Sequence, residues 1–349
     1  MVYLVTIYDL NNYGNRFQNY ALSTVLKRLS DDVITIPDII HSYYTNIYRM
    51  FRHLGGEVYR HILLTEKHKR RNRFLKFTRK NINTASCFVL KTLLSNEHAS
   101  YVVGSDQVWN PYFNHLSELD TLSFLKDGKG ISYAASFGVD DLPEEYAPQL
   151  AEIGKHFKAV SVREASGKKI LEPYVEDVQV HVDPTLLLTP NEWEKVMQKP
   201  RHFTKNKYVV LYFLGQLNET RRSQINEFAN RLGYEIIEIM DKSSVYYSYG
   251  PAEFLWVMQH AEAVFTDSFH GCVFSFLFDK PFVVYDREDN NQNMASRMET
   301  FLPWFHLEDR TYTGNFPEDL LEHDYSKGYQ LLEVERKRSN DYLNQYLSQ

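Results

Sequence analysis

Short apolar runs alternate with helix-like segments along most of this sequence, and this alternation limits the fold more than any other feature. Val2–Tyr8 and Val33–Ile36 have the length and the composition of buried strands. Between them, residues 16–29 carry apolar side chains at helical spacing. Strands that alternate with helices form parallel sheets, because a parallel strand is reached only through a crossover connection. The sequence therefore predicts an α/β protein.

A second series of strand and helix patterns follows a polar, basic break over residues 188–207 that contains two prolines. A chain of 349 residues has the length of two domains. We predict a first domain over residues 1–200 and a second over residues 201–349. The second domain ends in an amphipathic helix from Lys327, whose predicted apolar stripe is Leu331/Leu332, Val334, Tyr342/Leu343 and Tyr346.

The composition excludes several classes of protein. Lys and Arg number 39 against 45 Asp and Glu, and the formal net charge of −6 argues against a dedicated nucleic-acid binder. The two cysteines, Cys87 and Cys272, are too few for a disulfide framework or a cysteine-rich metal site, and they fit a reducing compartment. No stretch approaches the roughly 18 apolar residues of a membrane span, and the N-terminus starts as a strand rather than an apolar leader. We predict a cytoplasmic protein.

Residues 49–80 break the pattern with eleven Arg and Lys against two Glu. Upstream, apolar residues recur at helical spacing from Tyr44 to Ile62. One interpretation is a basic helical insertion, at about residues 40–90, that packs on the first domain with its charges in solvent. The other is a surface over residues 41–80 that contacts anionic lipid at the inner face of the cell membrane, or a phosphate-bearing acceptor.

Ligands of an open parallel sheet bind beyond the carboxyl ends of its strands, so the polar loops at those ends are the candidate sites. After the first strand, Asn12, Asn15 and Gln18 offer neutral amides, which suit sugar hydroxyls or phosphate oxygens. The alternative is a capped strand-to-helix turn with Asn15 as the cap. After the third strand, Ser105 is a candidate for substrate binding, and Asp106 is either a general base or a helix N-cap.

Two further strand ends carry polar side chains in the first domain. Ser136 follows the predicted strand Ile131–Ala135 and is a candidate for substrate binding. Arg163 follows the predicted strand Ala159–Val162, and its guanidinium suits bidentate binding of a carboxylate or a phosphate. The alternative for Arg163 is an ion pair with Glu164 or another acid.

The strongest candidate in the second domain is the turn Ser268-Phe269-His270-Gly271, which joins an apolar strand to an apolar helix. His270 then lies in the first helical turn, where free backbone N–H groups and the helix dipole favour an anion, and Ser268 is a candidate to bind the same anion. The alternative is a structural histidine that caps the helix. Cys272 is expected to be a buried structural residue. Arg297 is a further candidate for substrate binding, with a surface ion pair as its alternative.

Six groups of residues in these loops occur together. They are Asn12-Tyr13-Gly14-Asn15 with Gln18-Asn19-Tyr20-Ala21-Leu22, Val103–Trp109, Ser132–Gly138, Ser161–Glu164, Val182–Leu187 and Thr266–Gly271. On these residues, and in the family's order, the sequence resembles the polysaccharide pyruvyl transferase family over a span from residue 3 to about residue 300. The basic stretch and the C-terminal helix contain no matching group.

This resemblance implies two Rossmann-like domains that face each other across a cleft, as in GT-B glycosyltransferases, with the acceptor on the first and the donor on the second. It implies that the enolpyruvyl group of phosphoenolpyruvate is transferred to two hydroxyls of a sugar, free or lipid-linked, in a polysaccharide or its precursor. The products are a cyclic pyruvate ketal and phosphate, with no cofactor and no obligatory metal ion. The family's functional residues fall on His270 and Arg163, and Asp106 is the candidate base for the sugar proton.

Two other functions remain open at this stage. A GT-B-like glycosyltransferase that uses a nucleotide sugar would need a ribose-binding carboxylate, for which Glu235, Glu238 and Asp241 are weak candidates. A non-catalytic scaffold that binds glycans or anions would bind its ligand without releasing phosphate. Phosphate release from phosphoenolpyruvate therefore separates these alternatives from the transferase.

Overall fold

The computed structural model describes residues 1–37, 65–85, 99–113, 115–125, 130–287, 295–317 and 319–347. The chain divides into two compact units. Unit 1 comprises Met1–Leu63, Thr78–Leu187 and Val334–Gln349, and unit 2 comprises Leu64–Phe77 and Leu188–Glu333. Each unit is built on a parallel sheet of its own.

The strands follow the apolar runs of the sequence. They are β1 (Val2–Thr6), β2 (Val33–Pro37), β3 (Ser100–Val103), β4 (Gly130–Ser132), β5 (Phe157–Val162), β6 (Val178–Val180), β7 (Tyr208–Tyr212), β8 (Glu235–Glu238), β9 (Ala263–Thr266) and β10 (Phe282–Val284). The α-helices are α1 (Tyr13–Leu26), α2 (Glu66–Asn81), α3 (Ala147–His156), α4 (Ala165–Leu171), α5 (Pro190–Glu194), α6 (Glu219–Leu232), α7 (Pro251–Gln259), α8 (Phe269–Leu277), α9 (Ala295–Trp304) and α10 (Ser326–Leu347). The predicted alternation of strands and helices is confirmed.

The sheet of unit 1 has the strand order β2-β1-β3-β4-β5-β6, with every neighbouring pair parallel. All five residues of β1 are buried, as expected for a strand that is covered on both faces. The N-cap of α1 is Asn12, whose side-chain oxygen accepts a hydrogen bond from the Asn15 backbone N–H at 3.3 Å. The predicted cap at Asn15 is therefore wrong, because the backbone is extended at Asn12 and helical from Tyr13 on.

The sheet of unit 2 has the order β10-β9-β7-β8, again with parallel neighbours. Its central strand β7 is buried along its whole length, and α6 covers one face, where the rings of Phe228 and Phe265 lie 5.6 Å apart. When the strands of each unit are numbered from its own first strand, the two sheets share the order 2-1-3-4. In unit 1 this is β2-β1-β3-β4, and in unit 2 it is β8-β7-β9-β10, read from the opposite edge. The chain therefore winds first to one side of the first strand and then to the other in both units.

The C-terminal helix α10 passes from unit 2 into unit 1 at Val334, whereas the sequence predicts the whole helix in the second domain. Its last turns pack on unit 1, where the Tyr342 hydroxyl donates to the Ser132 carbonyl at 2.9 Å and Arg336 Nε donates to the Leu186 carbonyl at 2.7 Å. Val334 is 61% exposed, so the predicted stripe is wrong at that position. The buried face lies on the other side of the helix and runs through Leu332, Ser339, Tyr342 and Leu343.

His181 is buried beside α10 within unit 1. Its ring lies 4.7 Å from the ring of Tyr342 and 5.8 Å from that of Tyr133, and its Nδ1 is 2.8 Å from the Ser161 hydroxyl. Burial, and after it the positive charge of Arg338, lowers the pKa of His181 to about 3. The ring is therefore neutral in the folded protein at neutral pH.

We expect this histidine to make the protein less stable in mild acid. The unfolded chain binds the proton with a pKa of about 6.5, so the stabilisation is complete above that pH and is lost as the pH falls from there towards about 3. At about pH 5 the free energy of unfolding should lie about 2 kcal/mol below its value at about pH 8. Urea unfolding across this range measures the difference, and His181→Asn, which cannot titrate, should remove it. The same pH dependence in both proteins would contradict this prediction.

Much of the predicted basic insertion at residues 40–90 cannot be placed in the fold, because residues 38–64 and 86–98 lie outside the described residues. The surface predicted to contact anionic lipid over residues 41–80 is accordingly described only from Thr65 on. Among the described helices, none is both long enough and apolar enough to span a membrane.

The described part of the basic segment forms α2, and two of its arginines bind within unit 2. Arg70 donates to the Tyr247 carbonyl at 3.2 Å, and Arg73 donates to the Ser248 carbonyl at 2.9 Å. These contacts hold the first turns of the helix against the 3-10 turn Val245–Ser248 of unit 2, and Arg70 is buried. The packed-insertion interpretation is therefore wrong for these turns, because it placed them on the first domain with their charges in solvent. The exposed basic residues of the helix are Lys67, Lys69, Lys76, Arg79 and Lys80.

Candidate functional site

Both sheets change their direction of winding beside their first strand, and in open α/β sheets ligands bind at this switch point. In unit 1 it lies between β1 and β3, whose carboxyl ends continue into the loops of Asn12 and Asp106. In unit 2 it lies between β7 and β9, which continue into the loops of Gly215 and Ser268. The loops that the sequence singled out therefore lie at the switch point of each unit.

A buried ion cluster lies at this end of the sheet in unit 1. One Nη of Arg163 lies 2.8 Å from the carboxylate of Asp183, and the other lies 3.4 Å from that of Asp106. The Nε of Arg163 lies 3.6 Å from the carboxylate of Glu164, and all four side chains are buried. The ion-pair alternative predicted for Arg163 is therefore what the structure contains, with two acids in addition to its neighbour in the sequence.

Three carboxylates around one guanidinium give this cluster a formal charge of −2. Burial by itself lowers the pKa of Arg163, but the attraction of the three carboxylates outweighs it, so the pKa lies above its ordinary value and Arg163 stays charged. A buried site with excess negative charge is unfavourable for an anionic ligand. It suits groups that share or give up a proton, such as hydroxyls.

Asp106 is held from several sides. Its Oδ2 accepts a hydrogen bond from the Asn15 side-chain amide, and its Oδ1 accepts one from the Gln107 backbone N–H at 3.0 Å. Its backbone lies in the left-handed region with φ 63°, and the next helical turn along the described chain is the 3-10 turn Pro111–Phe113. The predicted alternative of a helix N-cap at Asp106 is therefore wrong. What the fold provides is a carboxylate in a fixed orientation, which a general base needs.

Three other predicted site residues are fully buried and form hydrogen bonds within unit 1, namely Gln18, Ser105 and Ser136. Gln18 connects β1 with the loop after β3, because its amide donates to the Thr6 hydroxyl at 2.7 Å and its carbonyl accepts from the Ser105 backbone N–H at 3.0 Å. The Ser136 hydroxyl donates to the carboxylate of Glu164 at 2.6 Å. In this structure these three side chains hold the loops of the ion cluster in place.

In unit 2 the position directly after β9 is taken by Asp267. Its two carboxylate oxygens accept hydrogen bonds from the backbone N–H groups of Leu214 and Gly215, both at 2.7 Å. The Nε of Arg287 lies 3.3 Å from one of these oxygens. A side chain at Gly215 would collide with Arg287, because its Cβ would lie 2.6 Å from the Cγ of that arginine. The loops after β7 and β9 are thus joined across the switch point.

The turn after Asp267 begins α8. Ser268 is the N-cap, and its hydroxyl accepts a hydrogen bond from the Gly271 backbone N–H at 3.4 Å. Gly271 packs so closely on Thr266 that an added Cβ would lie 2.3 Å from the threonine Oγ1. His270 is buried in the first turn, where the backbone N–H groups favour an anion.

Phe269 connects the two basic residues predicted for this site. Its ring lies 5.2 Å from the ring of His270, and the guanidinium of Arg297, on α9, lies 5.9 Å from the centre of the same ring. Only 4% of Arg297 is exposed, so the surface ion pair predicted as its alternative is wrong. A histidine and an arginine therefore both lie near Phe269 in the first turn of α8, and both side chains have N–H groups of the kind that bind anions.

Cys272 is a free cysteine and is buried, as predicted, while Cys87 lies outside the described residues. Burial raises the pKa of the Cys272 thiol, and a thiol that resists ionisation is a poor nucleophile. Within the described ranges, no three His, Cys, Asp or Glu side chains are arranged as ligands of a metal ion.

Sequence reasoning assigned no role to Asp183 or Asp267, although Asp183 directly follows the predicted strand Gln179–Val182 and Asp267 lies two residues beyond the predicted strand Ala263–Phe265. Asp183 anchors the ion cluster, because one of its oxygens accepts from Arg163 and the other accepts from the backbone N–H and the hydroxyl of Thr185, at 3.0 and 2.7 Å. A signal was present in the sequence, since polar residues at the carboxyl ends of adjacent parallel strands meet at one edge of the sheet.

A family model described as polysaccharide pyruvyl transferase matches residues 12–290, which is most of the chain. None of the curated proteins compared with the chain matches it.

The solved structures that resemble the chain are distant in sequence. UGT89C1 of Arabidopsis thaliana, crystallised with quercetin, is 8% identical with a TM-score of 0.50, over 100% of this chain and 99% of that one. UDP-GlcNAc 2-epimerase of Neisseria meningitidis, bound to UDP-GlcNAc, is 10% identical with a TM-score of 0.49, over 99% of both chains. The ADP-heptose LPS heptosyltransferase II of E. coli is 9% identical with a TM-score of 0.37, over 97% of this chain and 99% of that one. At 8% identity, the similarity to UGT89C1 concerns the fold alone. Together with the two parallel sheets and the C-terminal helix, it confirms the predicted GT-B-like α/β fold.

Proposed function

The chain belongs to the polysaccharide pyruvyl transferase family, and on this premise we propose that it transfers the enolpyruvyl group of phosphoenolpyruvate to two hydroxyls of one sugar in a polysaccharide or its precursor. The product is a cyclic pyruvate ketal, and inorganic phosphate is released. The observation that carries the proposal is the family match over residues 12–290, because the ion cluster of unit 1 and the loops after β7 and β9 in unit 2 lie inside it. Arg297 lies just beyond its end.

The reaction forms two carbon–oxygen bonds and breaks one. Protonation of the methylene carbon of phosphoenolpyruvate makes the adjacent C2 electrophilic, and a sugar hydroxyl adds to C2. Phosphate then leaves from C2, and the second hydroxyl adds to the same carbon to close the ketal. Of the two hydroxyl protons, one balances the proton taken up by the methylene carbon and the other leaves with phosphate. The enzyme must therefore bind a polyanion, supply an acid and receive hydroxyl protons.

Unit 2 is the part that we assign to the donor. The N-terminus of α8 lies at Ser268, with His270 in its first turn, and the ring of Phe269 lies near both His270 and Arg297. Phosphoenolpyruvate carries a carboxylate and a phosphate, and helix N-termini and arginines are the usual partners of both groups. Ser268 would contribute to the same anion site. His270 would either donate the proton or hold the leaving phosphate.

The ion cluster of unit 1 suits the sugar better than the donor. Its formal charge of −2 repels a polyanion, whereas carboxylates accept hydrogen bonds from sugar hydroxyls. We assign Asp106 as the base for a sugar proton. Arg163 is then a positioning residue that pairs with Asp106 and orients it, rather than a ligand of phosphoenolpyruvate. Asn12, at the exposed start of α1, is a candidate to bind the same sugar.

The proposal also covers the cofactor requirement and the cellular location of the reaction. The reaction is written without a metal ion or cofactor, as the family resemblance implies, and takes place in the cytoplasm. If the acceptor is lipid-linked, the enzyme works at the inner face of the membrane, where anionic lipid attracts basic residues. The exposed lysines and arginine of α2 would supply part of that positive charge.

The test is phosphate release from phosphoenolpyruvate in the presence of candidate β-galactosides, both free and lipid-linked, with mass spectrometry of the sugar. We expect phosphate release to require the acceptor and to equal the amount of adduct formed. Phosphate release without adduct would contradict the proposal. Transfer from a UDP-sugar or CMP-sugar, with phosphoenolpyruvate inactive, would instead identify a glycosyltransferase.

A further inference from the structure

Two neighbouring aromatic side chains of unit 1 are exposed to solvent. Tyr112 is 54% exposed and Phe113 is 60% exposed, and both lie on the 3-10 turn Pro111–Phe113. The ring of Tyr146 lies 6.4 Å from that of Tyr112 in an edge-to-face arrangement. We call these three side chains the aromatic patch. Rings of this size are usually buried, so a group of them at the surface indicates a binding surface.

The patch is fixed to the candidate site by buried residues. The Asn110 side chain is buried and accepts a hydrogen bond from the Tyr112 backbone N–H at 3.0 Å. Trp109 is buried next to it, and its backbone N–H donates to the Ser136 carbonyl at 3.2 Å. The Ser136 backbone N–H in turn donates to the Asp106 carbonyl at 2.9 Å. The exposed rings therefore continue directly from the loops that hold Asp106, and they are not on a freely moving tip.

Exposed acids lie close to Tyr146 in the sequence. The exposed acids of this segment are Asp140, Asp141, Glu144 and Glu145. The Tyr146 hydroxyl is hydrogen-bonded to the Glu145 side chain, and the pKa of Tyr146 is raised, first by burial and then by the charge of Glu145. Negative charge at this place opposes nucleic acid, anionic lipid and phosphate groups. It favours a neutral ligand whose hydroxyls can donate hydrogen bonds.

We infer that the aromatic patch binds a pyranose ring of a neutral sugar acceptor, with the C–H face of the sugar on Tyr112 and Phe113 and its hydroxyls towards the carboxylates. The inference rests on the proposed function, because the sugar is the acceptor of that reaction. The C–H groups on one face of a pyranose form an apolar surface that packs on the negative face of an aromatic ring. The patch thus adds a sugar subsite to the loops that carry Asp106.

The area of the patch also fits a sugar better than a protein. A fully buried Tyr or Phe contributes about 150–250 Å², so two rings that are about half exposed offer roughly 150–300 Å². A stable interface with a second copy of the chain would bury about 800 Å² on each partner. A second copy is therefore disfavoured by area, and an anionic membrane is disfavoured by charge.

The test uses the full chain, with the methyl glycosides of galactose, glucose and mannose as probes. Saturation-transfer NMR shows which protons of each sugar contact the protein. We expect transfer to the C–H protons on one face of at least one probe, and we expect the double variant Tyr112→Ala/Phe113→Ala to lose most of it. Val334→Ala, which shortens an equally exposed apolar side chain on α10, should match the wild type. Circular dichroism confirms that the variants are folded, as expected for exposed positions.

Kinetics separate this inference from the proposed function. With an acceptor that supports phosphate release, the double variant should raise the acceptor KM about tenfold and leave the KM for phosphoenolpyruvate unchanged. Equal saturation transfer in wild type and double variant overturns the inference, and so does a wild type that shows transfer to no probe. Loss of self-association or of anionic-vesicle binding, with sugar contacts unchanged, also overturns it. If the probes bind through the patch but phosphoenolpyruvate releases no phosphate, the patch is a sugar-binding surface and the proposed function, with the role of that sugar as its acceptor, fails.

Discussion

Replacement of Arg163 by methionine is expected to destabilise unit 1 by about 3–5 kcal/mol. Methionine is flexible and fills much of the same space, so the change removes the positive charge and leaves little cavity. The carboxylates of Asp106, Asp183 and Glu164 then remain buried together without a cation. Their repulsion is relieved only by taking up protons or by unfolding. Urea unfolding measures the loss as a shift of the midpoint to lower urea at an unchanged slope.

The matched control is Arg222→Met in unit 2. Arg222 donates two hydrogen bonds of 2.8 Å to Glu238, which is a better geometry than the contacts of Arg163, but 33% of its side chain is exposed. Solvent screens such a pair, and its removal should cost less than about 1 kcal/mol. A loss as small as this for Arg163→Met would mean that the cluster is not charged in the folded protein, and that Arg163 does not position Asp106.

A second substitution sharpens this result. In the Arg163→Met background, Asp183→Asn removes one of the charges that the first change leaves unpaired. We expect it to restore part of the lost stability, whereas in the wild-type background the same change destabilises. This change of sign in a double-mutant cycle is the signature of direct coupling between the two side chains.

The strands were predictable because parallel strands that are covered on both faces are short apolar runs between polar loops. Their ends were not, because apolar residues can continue past the last hydrogen bond of a sheet. The run Tyr208–Leu214 illustrates this, since β7 ends at Tyr212 and Leu214 is exposed. Leu214 leaves the ladder because its backbone N–H binds the carboxylate of Asp267, which lies far along the chain.

Helical periodicity shows that one face of a segment is buried, but it does not show what buries it. For this reason α10 was predicted as an amphipathic helix while its partner, unit 1, was not predicted. Val334 was assigned to the buried stripe from its apolar side chain alone. The position is exposed because the contacts of Tyr342 and Arg336 with unit 1 fix the rotation of the helix about its axis.

The location of the site residues was predictable from one rule, that ligands bind at the carboxyl ends of parallel strands. Their partners were not. Asp106 and Arg163 are separated by 57 residues, and Asp183 lies 20 residues beyond Arg163. Which acid reaches the guanidinium depends on the order of β3, β5 and β6 in the sheet and on side-chain rotamers. A single sequence leaves both open, so the sequence could only state that Arg163 binds either a ligand or an acid.

Asp106→Asn is expected to lower turnover by about 10²–10⁴-fold in a protein that remains folded. The amide has the shape of the carboxylate, and its oxygen can still accept a hydrogen bond from Asn15 or Gln107. It cannot take a proton from a sugar hydroxyl, however. Because both oxygens of Asp106 accept hydrogen bonds, the amide must turn its own N–H towards one of these donors, and the free energy of unfolding should fall by about 1–3 kcal/mol. Turnover of phosphoenolpyruvate with a saturating acceptor measures the first effect, and urea unfolding measures the second.

Asp183→Asn is the control, because it removes the same charge from the same cluster at a position that accepts four hydrogen bonds from the protein. Its donors are the guanidinium of Arg163, the Ser105 hydroxyl, and the backbone N–H and hydroxyl of Thr185. An amide there must turn its own N–H towards one of these donors, so the stability should fall by about 1–3 kcal/mol while the folded fraction keeps most of its turnover. Equal losses of turnover in the two variants would assign the effect to the charge of the whole cluster. A large loss in Asp106→Asn alone, at an unchanged KM for phosphoenolpyruvate, identifies Asp106 as the group that takes the proton, because the two variants then differ only in which carboxylate is lost.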